Sequence, residues 1–525
     1  MFRKQIKLTL MLITLLYLAF QPVSANDVLK QTNVTLISDL NQTAGKDIRN
    51  LVDTDRLDIG NSFVLDVHWS PKGDQILIDA FLSAYPKGDP QLGGIYALYA
   101  ANADGSGITR IAWEECTSSS GGKKVITPVW SQSGDYFAYI ELLEGNMHRI
   151  ESAQLVIMSS DLKLMKKMNY DTKSVLTSPE WTPTWSPTED IITAIDSGKI
   201  IFYDADKGIE SSFELPDNSV KIKDMEWSPD GKKIVLKNNF DIITLNIENG
   251  ELNQLLPEDG VRRYGEQWSP DSKKLIFCEK KGSALNDDIN YDVYVLDEGG
   301  DSSKITSFRS GSPRIIEWYP DNERVLLKKR VRDESYALYS ISMNGDMNKL
   351  VDGNNDLEGM VGPNDYILAA NPNGLIVSPH IEMYDLLLLN ESNKMAIENV
   401  TDFTWIGTDL VFANDNEISV LNTTTQDMWD ISISAINPTR ISLDPSGQFI
   451  CVDNKIFRLH EQDHPLIYAN GMNKTESEVV TLKNDTYDQT ETSSKTETSS
   501  KLPGFTVIIA VIGILIAFTG AKKEI

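Results

Sequence analysis

Cysteine, histidine and positive charge are all scarce in this 525-residue chain. Three cysteines exclude a scaffold built on disulfides, and the odd count leaves at least one thiol unpaired or paired between chains. Lys and Arg number 49 against 76 Asp and Glu, a formal net charge of −27. That balance argues against a nucleic-acid partner, because phosphate contacts need a basic surface. The main enzyme templates are missing as well. The sequence contains no G-x-S-x-G elbow, no Walker-type loop, no G-x-G-x-x-G after a strand and no C-x-x-C. What remains is ordinary for a folded protein, with 41% hydrophobic and 24% charged residues, so global disorder is excluded.

Neither end of the chain reads as fold. Residues 1–25 have the grammar of an export signal: Arg3, Lys4 and Lys7, then a 13-residue apolar run over 8–20, then Val23-Ser24-Ala25 before an expected cut at Asn26. At the other end, Phe505 to Ala521 is uncharged for 17 residues, at the lower limit for a transmembrane helix, and Lys522 and Lys523 follow. Pro503-Gly504-Phe505, one hydrophobic helix and a basic stub resemble the PGF-CTERM sorting signal of archaeal surface proteins. That resemblance implies an archaeosortase-type enzyme that removes the helix and attaches a lipid; a permanent membrane anchor is the alternative. Residues 471–502 form a Thr/Ser-rich low-complexity stretch with TETSSK twice in tandem, at 490–495 and 496–501. With almost no apolar side chains it cannot offset its ordering entropy, so a disordered stalk is expected.

The body between these ends is a repeat. A phrase beginning WSP or a close variant starts at Trp69, Trp130, Trp185, Trp227, Trp268 and Trp318, with degenerate copies at Val361, Trp405 and Leu443. Each Ser-Pro-Asp-Gly core is turn chemistry, in which Pro presets φ and Gly or Asn tolerates positive φ. A short apolar strand precedes the turn and three strands follow, the middle one commonly ending in Asp or Asn, as in DVYVLDEGG over 292–300. Four strands per period of about 42 residues fit a β-propeller blade, with the large Trp filling the space between blades. The fold expected is all-β, a single propeller of eight or nine four-stranded blades over 61–470, preceded by an extension at 26–60. The phrase Trp-Ser-Pro-Asp-Gly-Lys-Lys, as it stands from Trp227, is similar to the TolB-type propeller repeat. The TolB family also carries an α/β domain ahead of its propeller. Residues 26–60 are too few for one, so the resemblance implies the fold and not TolB's partners.

The residues that could carry chemistry are few. His460-Glu461-Gln462-Asp463-His464 matches the H-E-x-x-H zinc signature, but that motif needs a helix and here Pro465 follows at once between two strand-like runs. It reads as a polar turn, and no metal or cofactor is expected. His68, His148 and His380 fall in different repeats. Cys278 and Cys451 sit in hydrophobic strands as inert, buried thiols, whereas Cys116 reads as an exposed loop thiol. Acidic loops at 102–107, 286–292 and 352–359 lack full EF-hand spacing. Sequons start at Asn33, Asn41, Asn390, Asn399, Asn422, Asn473 and Asn484, and Asn422 is the most credible glycan site within the repeats. The longer inter-motif segments 81–94, 114–124, 141–152 and 279–290 are expected to be binding loops. The reading is a non-catalytic, surface-displayed propeller that binds an extracellular protein, glycan or envelope ligand. Its rivals are a polysaccharide hydrolase or lyase with carboxylates converging in the funnel, and a structural envelope component.

Overall fold

The computed structural model describes residues 32–459 except 52–56, 88–92, 118–120, 145–149, 171–183, 197–198, 216–223, 238–241, 257–260, 283–288, 298, 333–334, 355, 379–380, 391–393, 415–416 and 434–437. The export signal, the stalk and the Pro503–Ile525 segment therefore lie outside the described residues, as does the 460–464 motif. One expectation is corrected. A transmembrane helix is expected from the sequence, yet among the described residues no helix is long and apolar enough to cross a membrane. The α-helix Leu40–Arg49 has ten residues, about 15 Å at 1.5 Å per residue, half of a hydrocarbon core of about 30 Å. It buries one stripe, Leu40, Ala44 and Ile48, and exposes polar residues elsewhere.

The rest is almost all β. Among the described residues the strands group into nine four-stranded antiparallel units. Units 3 to 6 are separate sheets that begin with Thr184–Trp185, Asp224–Trp227, Arg262–Trp268 and Pro313–Trp318. Units 1 and 2, which begin with Leu57–Trp69 and Gly121–Trp130, share an eight-stranded sheet joined only at Cys116–Gly122 and Thr117–Gly121. Units 7, 8 and 9 share an eleven-stranded sheet. There the strand Lys394–Ile406 serves twice, ending unit 7 and opening unit 8, with a register shift between Val400 and Asp402. Unit 9 consists of Ile441–Leu443, Phe449–Val452 and Lys455–Leu459, and its fourth strand is the N-terminal segment Thr32–Asp39, antiparallel to Lys455–Leu459. Part of the expected N-terminal extension is thus a strand of the last repeat.

The repeated phrase explains the units locally. Ser70, Ser131, Ser186, Ser228 and Ser269 are buried. In four of them, Ser186 apart, the hydroxyl accepts from the amide five residues later, as from Lys233 N to Ser228 Oγ at 2.9 Å. Gly73 and Gly231 turn the chain with φ of 70° and 71°, a region costly for a side chain, and Ser272 and Asn322 occupy the same position with φ of 64° and 60°. Fourth strands are the most exposed, as in Ile209–Glu214 and Met347–Gly353. Second and third strands bury both faces, because an apolar cluster fills every seam. Leu77 and Phe137 meet between units 1 and 2, Phe277 and Val235 between 4 and 5, and Cys278 and Ile315 between 5 and 6. The same holds between units 9 and 1, where Phe449, Cys451 and Ile456 pack with Ile76, Ile78 and the buried face of Leu40–Arg49.

Candidate functional site

Three of the repeat tryptophans make the same contact between units. Trp130 Nε1 donates to His68 O at 3.0 Å, Trp185 to Val129 O at 3.2 Å and Trp318 to Gln267 O at 3.2 Å. In each case the acceptor immediately precedes the corresponding Trp of the preceding unit. Trp69 obeys the same rule across the chain ends, donating to Ser442 Oγ at 2.7 Å, one residue before Leu443. Trp227, Trp268 and Trp405 depart from it, since their indole nitrogens are buried with no hydrogen-bond partner.

Carboxylates on the first strands are also engaged structurally. Glu226 accepts from Trp268 N at 3.5 Å and from Lys237 Nζ at 2.6 Å. Glu317 accepts from Val361 N at 3.0 Å, and Asp402 from both Ile441 N and Phe403 N, at 2.8 and 2.9 Å. Each reaches backbone in the next unit, so these groups act as cross-seam clamps. Burial raises the Glu317 carboxyl, and it pushes Asp402 up to about 6 against the pull of its two backbone donors. His68 contacts Asp79 at 3.2 Å. Burial works to lower its pKa, but the hydrogen bond and charge of Asp79, with the charge of Asp66, hold it above the ordinary value.

The segments expected to be binding loops are mostly strand. Residues 81–86 and 93–94 extend the second and third strands of unit 1, and 141–144 and 150–152 those of unit 2. Residues 114–117 and 121–124 are strand too, which puts Cys116 in Thr109–Thr117 and not in a loop. The sequence misleads here because FLSAYP (81–86) mixes small and polar residues into an alternation that is half apolar. On the extension a row forms straight across unit 1, with Phe63 opposite Phe81, Phe81 opposite Tyr96, and Tyr96 opposite Glu114. Ring centroids are 5.8 Å apart for Phe63–Phe81 and 4.8 Å for Phe81–Tyr96, while Phe63 is 40% exposed. Alternation from Leu77, which packs on unit 2, turns this row toward unit 2. There the buried Tyr139 hydroxyl is raised by burial and then by Glu141 and Glu114, which brings carboxylates of both units to one place. No motif marks the row; its only trace in the sequence is that aromatics occur on each of three consecutive strands.

Other candidates fall elsewhere. Asn422 is buried, its amide nitrogen donates to Asp409, and its oxygen accepts from Thr424 N and Thr425 N. A glycan would need that nitrogen free and exposed. Asn41 accepts from Val64 N at 3.1 Å, Asn399 has φ 58°, and Asn390 is half-buried. Asn33 pairs through its backbone with Ser432. Asn473 and Asn484, like His148 and His380, are outside the described residues. Cys278 and Cys451 are buried free thiols, each pushed up to about 12 by burial. In the 102–107 turn, Asp104 accepts from Ser106 N, and hydrogen bonds from Ser106 hold its carboxyl below the usual range.

No family model matches the chain, and no curated protein matches it. Solved structures do, at low identity. Dipeptidyl peptidase 4 from Porphyromonas gingivalis is similar over 74% of this chain and 55% of its own, with 9% identity and a TM-score of 0.43. The chain thus spans about half the length of that protein. TolB from Acinetobacter baumannii is similar over 64% of this chain and 79% of its own, with 13% identity and a TM-score of 0.30. The C-terminal WD40 domain of Sif2 is similar over 82% and 98%, with 13% identity and a TM-score of 0.36. The resemblance to propeller-type proteins is distant, and what the chain itself presents is an almost all-β protein of four-stranded, blade-like units.

Proposed function

We propose that the nine units close into one propeller ring, unit 9 against unit 1, and that the ring is a non-catalytic recognition module displayed outside the cell. The unbroken series of apolar seams and the Trp69–Ser442 hydrogen bond favour closure. The observation that carries recognition is the aromatic row Phe63–Phe81–Tyr96 on the extended edge of unit 1, beside Glu114 and Glu141. Rings flanked by carboxylates suit an amphipathic partner such as a glycan or a protein loop. Glu226, Glu317 and Asp402 support this over the hydrolase reading, because backbone of the next unit takes up each of these three first-strand carboxylates. Export and surface attachment would follow from the 1–25 signal and from processing at Pro503-Gly504-Phe505 by an archaeosortase-type enzyme. A pull-down from native envelope with the purified chain tests recognition. Its partner should be retained by the wild type and lost with Phe63→Ala/Tyr96→Ala. Equal retention by the variant would remove the row from the proposal.

A further inference from the structure

Unit 5 sorts its cations by sheet face. Arg263 and Lys281 point toward unit 4, where Glu279 and Asp292 meet them: Arg263 Nε lies 3.0 Å from Glu279, and Lys281 Nζ lies 2.7 Å from Glu279 and 3.4 Å from Asp292. Their neighbours Arg262 and Lys280 alternate to the opposite face, toward unit 6, in line with Cys278 of that seam. Arg262 stands directly opposite Lys280, a like-charge cross-strand pair that is unfavourable by itself. From unit 6, Lys329 reaches across the same seam, its Nζ 4.8 Å from the centre of the Phe308 ring, while Lys280 lies 6.0 Å from that of Tyr291. Burial lowers the Lys329 ammonium. Among the described residues none of these three cations is ion-paired, in a chain whose acids outnumber its bases by 76 to 49.

Three cations that are not ion-paired among the described residues, two of them beside aromatic rings, gather at the strand ends remote from the Ser-Pro-Asp-Gly turns. We propose that the seam between units 5 and 6 is an anion-recognition site for an acidic polysaccharide. A sugar carboxylate or sulfate would bridge Arg262, Lys280 and Lys329, and Tyr291 and Phe308 hold the two ammonium groups in place. The arrangement matches the needs of such a ligand. A charge-assisted contact from each cation would remove the Arg262–Lys280 repulsion, and a flanking aromatic wall would limit solvent screening. Acidic surface over the rest of the chain would confine polyanions to this seam. This assignment rests on the recognition reading above but involves a different face and different residues.

The test is titration calorimetry of the full chain with sodium polygalacturonate and with heparin, using neutral dextran and a duplex DNA as comparators. We expect both acidic glycans to bind, dextran not to bind, and binding to vanish at high salt. Arg262→Gln, Lys280→Gln and Lys329→Gln should each weaken it about tenfold. Lys163→Gln, on a surface ion pair of unit 2, should leave it unchanged. Circular-dichroism melts would show each variant folded. Absence of glycan binding, unchanged affinity in all three variants, or DNA binding as tight as polygalacturonate would each overturn the site. If the envelope pull-down still retains a partner in that event, the recognition reading stands and this site alone falls.

Discussion

Trp69 Nε1 and Ser442 Oγ, 373 positions apart in sequence, are joined by a 2.7 Å hydrogen bond that repeats at the chain ends the contact made between neighbouring units. Trp130–His68, Trp185–Val129 and Trp318–Gln267 are its counterparts. The ends of the chain are therefore held by an indole hydrogen bond like those of its middle, with a serine hydroxyl in place of the backbone carbonyl. Two features are peculiar to that seam, Thr32–Asp39 as a borrowed fourth strand and the helix Leu40–Arg49 packed over units 1 and 9.

The indole donors separate by partner, and that separation can be measured. Trp69→Phe removes a satisfied donor, whereas Trp227→Phe removes one that is buried without a partner. Both lose similar volume, so the difference between them isolates the hydrogen bond. In chemical denaturation Trp69→Phe should be the more destabilising by about 1–2 kcal/mol. Equal losses would mean that the Trp69–Ser442 bond contributes nothing to closure.

Closure by the N-terminal strand has a second consequence. Without residues 32–51, the strand Lys455–Leu459 keeps its pairing to Phe449–Val452 but loses its outer partner, and the seam loses fully buried Leu40, Ala44 and Ile48. Leu40→Ala alone should cost about 2–5 kcal/mol. A chain beginning at Leu57 should show fast hydrogen exchange at 455–459, and adding a synthetic 32–51 peptide should slow it. Exchange at 455–459 that ignores the peptide would sink the borrowed-strand account.

What could be read beforehand follows from the range of each interaction. The units were legible because turn chemistry and strand alternation are local and recur at Trp69, Trp130, Trp185, Trp227, Trp268 and Trp318. The borrowed strand was not, since TNVTLISD pairs with KIFRL some 420 residues away and nothing in either segment names the other. The helix had a readable stripe at 40, 44 and 48, which the short length of 26–60 concealed. Asn422 shows the same limit from the other side. Its sequon is a string match, while its burial against Asp409 depends on a hairpin partner 13 residues earlier. The anionic-ligand site is legible only once register is known, because Arg262 and Arg263 differ in the sheet face they occupy and not in type.

Arg263 and Glu279 make a buried ion pair, 3% and 8% exposed in their side chains. Removing one member strands the other charge away from water. Glu279→Ala should therefore cost about 3–5 kcal/mol, and the double variant Arg263→Met/Glu279→Leu should recover most of that loss. Guanidinium unfolding of the three chains measures it. A double variant as unstable as the single one would show that the wider network with Lys281 and Asp292, rather than the pair, sets the stability of unit 5.

Asp409 supplies a pH signature. Its carboxyl is fully buried, with Oδ1 accepting from Asn422 and Oδ2 without a partner. Burial pushes it up to about 6, and the Asn422 hydrogen bond pulls the other way. A folded-state value above the unfolded value of about 3.9 means that the protonated form is favoured on folding. The stabilisation is therefore full below pH 4 and is lost as pH rises through about 6. Asp409→Asn keeps an acceptor for Asn422 and cannot ionise, so it lacks this dependence. Relative to wild type the variant should gain stability between pH 4 and pH 7, by at most about 3 kcal/mol. Denaturant midpoints of both chains across that range provide the comparison. A difference that stays flat with pH would place Asp409 as ionised throughout, with its second oxygen hydrated after all.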